Sequence, residues 1–174
     1  MLTRIKTFIR KKCSRTKRPL SRYRIIKIIG SGATAEVFKT QHTRSKKFYT
    51  CKRFRKNRLY SAERESHIIK RLDSPLLPQY HKYFIYKKQA YLFTKYISGW
   101  DLFDEYVHHQ RFPITDEETL KHIVWEMVEC LGACELHNIQ HLDIKLENFI
   151  VTQREPIKLR LIDFGCAHYV FDYK

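Results

Sequence analysis

Apolar and polar positions alternate over short stretches in the first half of the chain and recur at helical spacing in the second. Residues 23–29 (YRIIKII) are β-branched and aromatic and run into Gly30-Ser31-Gly32, which predicts a strand ending in a tight turn. Residues 37–42 and 48–54 predict two more strands, separated by the polar stretch 43–47. Within 61–72, Ile68, Ile69 and Leu72 share one helical face, and Pro75 closes that helix. Residues 80–97 are again aromatic and β-branched. Lys87-Lys88-Gln89 breaks them into a hairpin. A short helix is expected over 102–108 and a long one over 116–137, with Leu120, Ile123, Val124, Met127, Val128 and Leu131 along one side. Thr115 is a good N-cap for it, and Glu118 three residues on completes a capping box. Two short strands, 149–152 and 158–162, follow. There is no internal repeat and no low-complexity segment.

Charge separates the first residues from this pattern. Met1 to Arg24 holds ten Lys or Arg and no acid. Residues 1–22 therefore read as a flexible basic arm outside the core. Leu2, Ile5, Phe8 and Ile9 would share a helical face, so a mitochondrial presequence over 1–18, a membrane-surface helix and a nuclear import signal fit the pattern too. A solvated tail is the favoured reading. The net charge of +16 would attract phosphates, nucleic acid, acidic proteins or anionic lipid without choosing among them. Five cysteines without a CxxC pair read as reduced thiols of an intracellular protein, cytoplasmic or nuclear. No stretch approaches the roughly 18 consecutive apolar residues that span a bilayer. With 43% hydrophobic residues the chain is expected to fold.

Two clusters carry chemistry. Gly30-Ser31-Gly32-Ala33-Thr34-Ala35-Glu36-Val37 lies between predicted strands, where glycines let backbone N–H groups approach phosphates. Alone it is a turn signal. It gains meaning from Lys52, a lone cation in an apolar strand, which could neutralise phosphates, and from Glu65 on the next helix, which could hold that cation. The second cluster is His141-Leu142-Asp143-Ile144-Lys145-Leu146-Glu147-Asn148. Its carboxylate could orient and deprotonate a hydroxyl, its lysine stabilise a phosphoryl group, and its amide ligate magnesium. Asp163-Phe164-Gly165 then offers a second magnesium ligand on a turn.

In order, GSGATAEV, the CK of the third strand, Glu65, HLDIKLEN and LIDFG resemble the signature of the eukaryotic protein kinases. The resemblance covers roughly residues 23–166. It implies an α+β, bilobal fold. Residues 23–97 would form a small lobe with a five-stranded antiparallel sheet, one helix and the hinge, and 98–174 a partial helical lobe. It implies ATP and Mg2+ as ligands and phosphoryl transfer to Ser or Thr hydroxyls of a protein substrate. By position, Gly30 and Gly32 match the phosphate loop and Val37 the residue that packs on adenine. Lys52 and Glu65 match the conserved ion pair. Thr94 matches the gatekeeper, and Lys95, Tyr96 and Ile97 match the hinge. Asp101 matches the ribose-binding acid, Asp143 the catalytic base, Lys145 its phosphate-binding neighbour, and Asn148 and Asp163 the magnesium ligands. Lysine two residues after Asp143 is the serine/threonine pattern. YISGWDLFDEYV and DIKLENFI are similar to the calcium/calmodulin-kinase-like group. Asp101 and Glu147 match acids that meet basic residues flanking the phosphoacceptor.

Four departures qualify the resemblance. Ala35 replaces the third glycine of the loop, and Thr50 the alanine above adenine. Leu142 stands where the family has an arginine that grips a phosphorylated activation loop, which implies a kinase not switched on that way. Lys174 comes nine residues after Gly165, before the APE motif and later helices, so a fragment, or a natural truncation with reduced or no activity, is expected. The alternative is a catalytically silent nucleotide-binding or regulatory module. Cys130, Cys134, His137 and His141 have spacing that could suggest zinc, but core packing is the favoured reading.

Overall fold

In the computed structural model, which describes residues 19–108 and 117–170, the alternating stretches of the first half pair into one antiparallel sheet. Its strands are β1 (Tyr23–Ser31), β2 (Ala35–His42), β3 (Phe48–Phe54), β4 (Tyr80–Tyr86) and β5 (Gln89–Lys95), in the order β1-β2-β3-β5-β4. Successive strand side chains point to opposite faces. Along β5, Ala90 and Leu92 join one buried cluster while Tyr91 and Phe93 join another, so this strand is covered on both sides. The helix between β3 and β4, α1 (Leu59–Ile69), seals the first face with Ala62, Ile68 and Ile69. It starts and stops slightly earlier than the 61–72 read from periodicity. The antiparallel five-stranded sheet with one helix is as expected from the sequence.

The same cluster continues past the hinge into Phe149, Leu159, Leu161 and Phe164, so both halves share one core. The short helix expected over 102–108 is present, as Leu102 and Phe103 in α-helical conformation followed by a π-helical turn at Asp104–His108, after the two-residue strand β6 (Trp100–Asp101). Glu105 on that turn is buried and accepts a hydrogen bond from Arg154 at 2.7 Å. β6 pairs with β8 (Phe149–Arg154), which pairs with β9 (Ile157–Leu161). Gly99 makes the approach of β6 possible. It has φ +148°, and a Cβ there would lie 2.0 Å from the Val151 carbonyl oxygen.

The long helix α2 (Glu117–Glu135) buries a stripe that overlaps the expected one at Ile123, with Met127 and Leu131 packed against the core, but is rotated from it. Ile123, Glu126, Cys130, Ala133 and Cys134 face the core, whereas Leu120, Val124 and Val128 are about half exposed, at 44%, 50% and 54%. Glu126 explains the rotation. Its carboxylate accepts the Lys158 ammonium at 2.7 Å and the Leu159 N–H at 3.2 Å, docking α2 on β9. A buried acid with two partners is affordable, and no count of apolar positions registers it. The expected Thr115 cap and residues 1–18 of the basic arm lie outside the described residues. The end of the arm expected over 1–22 is ordered: Pro19–Arg22 form a 3-10 turn, Leu20 packs against the second buried cluster, and the Arg22 carbonyl accepts the Thr43 N–H at 2.8 Å. After α2 come β7 (Ile139–Gln140) and, near the end, β10 (His168–Tyr169), which pair with each other. Among the described residues no helix is long and apolar enough to cross a membrane.

Candidate active site

Strand register places the first group of predicted residues. Val37 on β2 stands opposite Lys52 on β3, and Lys52 opposite Leu92 on β5. The next pair toward the hinge is Thr50 opposite Thr94. These side chains roof a cleft of about 740 Å³ between the sheet and the second half. Gly30, Tyr96, Ile97, Asp101, Asn148 and Asp163 line it as well. The hinge is pinned at its start, Lys95 N–H donating to Gln79 at 2.9 Å and Tyr96 N–H to Phe48 at 3.3 Å.

Lys52 lies at the centre of the charged end. Its ammonium donates to Glu65 Oε1 at 2.9 Å and to Asp163 Oδ1 at 2.6 Å. Burial works against its charge, but the attraction of Glu65 and then Asp163 prevails and raises its pKa. For Glu65 burial prevails, pushing the carboxyl up while Lys52 pulls it back. Burial also opposes the charge on Asp163, yet Lys52 and the Gly165 N–H, 3.1 Å from Oδ1, hold its carboxyl below the ordinary value.

The second cluster sits across the cleft, on the loop between β7 and β8. Asp143 is bonded by Lys145 at 3.0 Å and by Asn148 Nδ2 at 3.1 Å. The hydrogen bond from Lys145 is the main reason its carboxyl lies below its usual range. Asn148 Nδ2 also donates to the Asp143 carbonyl at 2.7 Å. Two backbone positions are strained, with Leu142 at φ +62° and Asp163 at φ +61°. Non-glycine residues hold such angles only where their surroundings dictate it.

His141 supplies part of that constraint. Its Nε2 bonds the Ile162 carbonyl at 2.9 Å, its Nδ1 accepts the Asp143 N–H at 3.3 Å, and its ring meets Phe164 edge-on. This arrangement suits a neutral imidazole, and burial lowers its pKa below the ordinary 6.5. A depressed folded-state pKa contributes stability that is complete above the unfolded value of about 6.5 and is lost as pH falls toward the folded one. A His141→Gln chain should therefore be less stable than wild type at pH 8. The gap should narrow on acidification to pH 5 in denaturant titrations. A gap that stays constant would show that His141 does not titrate differently in the folded state.

Not every predicted residue lines the cleft. Gly32 lies in the turn with its N–H bonded to the Ala35 carbonyl at 2.9 Å, so that amide is already spent within the loop. Asp143 and Lys145 are not among the residues that line the cavity. Conversely, the cleft holds residues that sequence reasoning passed over. Ile150 and Ile162 form its floor, and Asp104 joins Asp101 and Glu147 among its acids. Alternation could have found Ile150, since Phe149 and Val151 are buried on either side of it. Asp104 carried no such signal. Its N–H donates to Asp101 Oδ1 at 2.8 Å, while burial pushes the Asp101 carboxyl above its ordinary value.

The cysteine and histidine spacing in α2 and beyond is used for packing. Cys130 and Cys134 are buried, with thiols pushed up by burial to about 11 and about 12. His137 bonds the Ala133 carbonyl at 2.7 Å and accepts the Asp73 N–H at 2.9 Å. Among the described residues no group of three or more His, Cys, Asp or Glu is placed to hold a metal.

The chain is similar to several protein kinases. A serine/threonine-protein kinase of Mus musculus, DCLK3, is 33% identical over 154 residues, covering 85% of this chain and 19% of that protein. A probable myosin light chain kinase of Dictyostelium discoideum is 30% identical over 156 residues, 88% of this chain and 49% of its own. The serine/threonine-protein kinase cds1 of Schizosaccharomyces pombe is 30% identical over 160 residues, 86% and 34% respectively. The chain thus spans less than half the length of these relatives. The family model described as the protein kinase domain matches residues 23–173, so nearly everything after the basic arm is accounted for, and the chain belongs to the protein kinase family.

Proposed function

We propose that the chain transfers the terminal phosphoryl group of ATP to a Ser or Thr hydroxyl. The observation that carries this reading is Lys52 held between Glu65 and Asp163, at one end of a cleft whose other end is apolar and bounded by the hinge. Val37, Leu92, Ile150 and Ile162 give an adenine ring two apolar faces, and Asp101 lies where a ribose hydroxyl could bond. Lys52 then meets the phosphates.

Asp143 takes the proton from the acceptor hydroxyl as its oxygen bonds to phosphorus. The bond from phosphorus to the bridging oxygen breaks on the opposite side, and ADP leaves with that electron pair. Lys145, bonded to Asp143, stabilises the phosphoryl oxygens in transit. Asn148 Oδ1 and Asp163 Oδ2 are the oxygens not engaged in the bonds described above, and they suit a hard cation such as Mg2+. When bound there, magnesium would neutralise phosphate charge.

Thermal unfolding with and without Mg-ATP tests nucleotide binding. Ligand at a hundred times Kd adds about 2.7 kcal/mol, a rise of several degrees for a domain of this size. The rise should vanish in Asp163→Ala. A wild-type transition that ignores Mg-ATP would remove the reading.

The acceptor site is proposed to favour basic flanking residues. Asp101, Asp104 and Glu147 bring three carboxylates to one side of the cleft, which favours cationic side chains. A peptide array should show selection for Arg or Lys, and preference for acidic flanks would refute it.

A further inference from the structure

Arg64 precedes Glu65 on α1 and is aimed at a different target. Its Nη2 donates to the Gly165 carbonyl at 2.7 Å and its Nη1 lies 2.7 Å from His168 Nε2. Arginine has only donors, so His168 Nε2 accepts, and the imidazole proton sits on Nδ1, 2.8 Å from the Cys166 carbonyl that receives it. Gly165 is thus held on both sides. Its N–H is bonded to Asp163 Oδ1 and its carbonyl to Arg64. There is little slack around it. A Cβ on Gly165 would stand 3.1 Å from Asp163 Oδ1 and 3.3 Å from the Lys52 ammonium.

These contacts close a loop of bonds. Glu65 holds Lys52, Lys52 holds Asp163, Asp163 accepts from Gly165, and Gly165 accepts from Arg64, the neighbour of Glu65. One turn of α1 therefore fixes both the lysine and the strained turn that presents Asp163 at φ +61°. In the turn just after α1, Arg71 bonds the Tyr169 hydroxyl at 3.3 Å, with its guanidinium 5.6 Å from the ring. Tyr169 is itself paired to Ile139 through β10 and β7. We infer that Arg64 is a positioning residue that clamps the Asp163–Gly165 turn to α1, with His168 as its second acceptor, so that Asp163 stays oriented beside Lys52.

A charge-assisted bond to a carbonyl is among the stronger kinds, and losing it frees a turn that its own backbone angles disfavour. Asp163 would then leave Lys52 more often, while the apolar nucleotide walls stay as they are. The role rests on the phosphoryl transfer proposed above.

The test compares wild type, Arg64→Ala and Arg64→Lys by steady-state kinetics and by amide hydrogen exchange over 163–168. Arg64→Ala should lower kcat by about 10–100-fold, the range seen when supporting partners of a site are removed, with a smaller change in KM for ATP. Exchange at the Gly165 amide should quicken without a matching fall in the unfolding temperature. Arg64→Lys, which keeps one donor for the Gly165 carbonyl, should recover part of both. Unchanged exchange in Arg64→Ala would overturn the clamp, and faster exchange with wild-type kcat would overturn its role in positioning. Should wild type turn over no substrate, the phosphoryl-transfer reading falls, and exchange alone decides whether Arg64 holds the turn.

Discussion

Asp143→Asn is expected to lower kcat by about 10²–10⁴-fold, the usual contribution of a positioned general base, while Mg-ATP still raises the unfolding temperature as in wild type. The substitution keeps the shape of the side chain and removes its charge and basicity. Lys145 at 3.0 Å and Asn148 at 3.1 Å keep the carboxylate ionised and oriented, with its pKa below the ordinary value. That environment suits a group that orients a hydroxyl and takes its proton late, as bond breaking at phosphorus advances. Asp143 is not among the residues lining the cleft, whereas the apolar walls proposed for the nucleotide, Lys52 and Asp163 are, so binding should survive. Single-turnover assays beside thermal shifts would separate the two effects. Equal turnover in Asp143→Asn would assign the base elsewhere, and a joint loss of binding and turnover would make Asp143 a structural residue.

The sequence made the site legible in proportion to how local each signal was. Lys52 stood out as a cation in an apolar strand, and the sheet then sets it opposite Val37 and Leu92. Asp143, Lys145 and Asn148 lie within six residues and are tied by hydrogen bonds within that loop, so spacing alone brought them together. The strands themselves were readable as short β-branched and aromatic stretches, while their pairing into a five-stranded antiparallel sheet was implied by the family resemblance. What escaped depends on distant chain segments. The stripe that α2 buries is set by the pairing of Glu126 with β9, and β6 depends on Gly99 meeting Val151. Arg64 carries no signal in the sequence that sets it apart from other helix cations. Only the fold brings Gly165 and His168 to it.

Replacing Lys52 should destabilise the fold as well as abolish nucleotide binding, and Glu65 is the reason. The Glu65 carboxylate is 2% exposed and lies under the sheet on α1, where burial already pushes its pKa up against the pull of Lys52. Breaking a buried ion pair from one side typically costs about 3–5 kcal/mol, because the remaining charge is left without a partner. Lys52→Met should therefore lose stability of that order at pH 8, where an uncompensated carboxylate is most unfavourable. The loss should shrink as pH falls, since Glu65 without Lys52 can take up a proton and become neutral. The Lys52→Met, Glu65→Gln double variant should recover part of the stability at pH 8 without recovering any nucleotide response. A double-mutant cycle in denaturant gives the coupling directly. A coupling near zero would show that the pair is solvated in solution and that Glu65 does not orient Lys52. A large coupling with the nucleotide response lost in both single variants would mean that α1 holds the lysine for the phosphates, and that stability and binding share one ion pair.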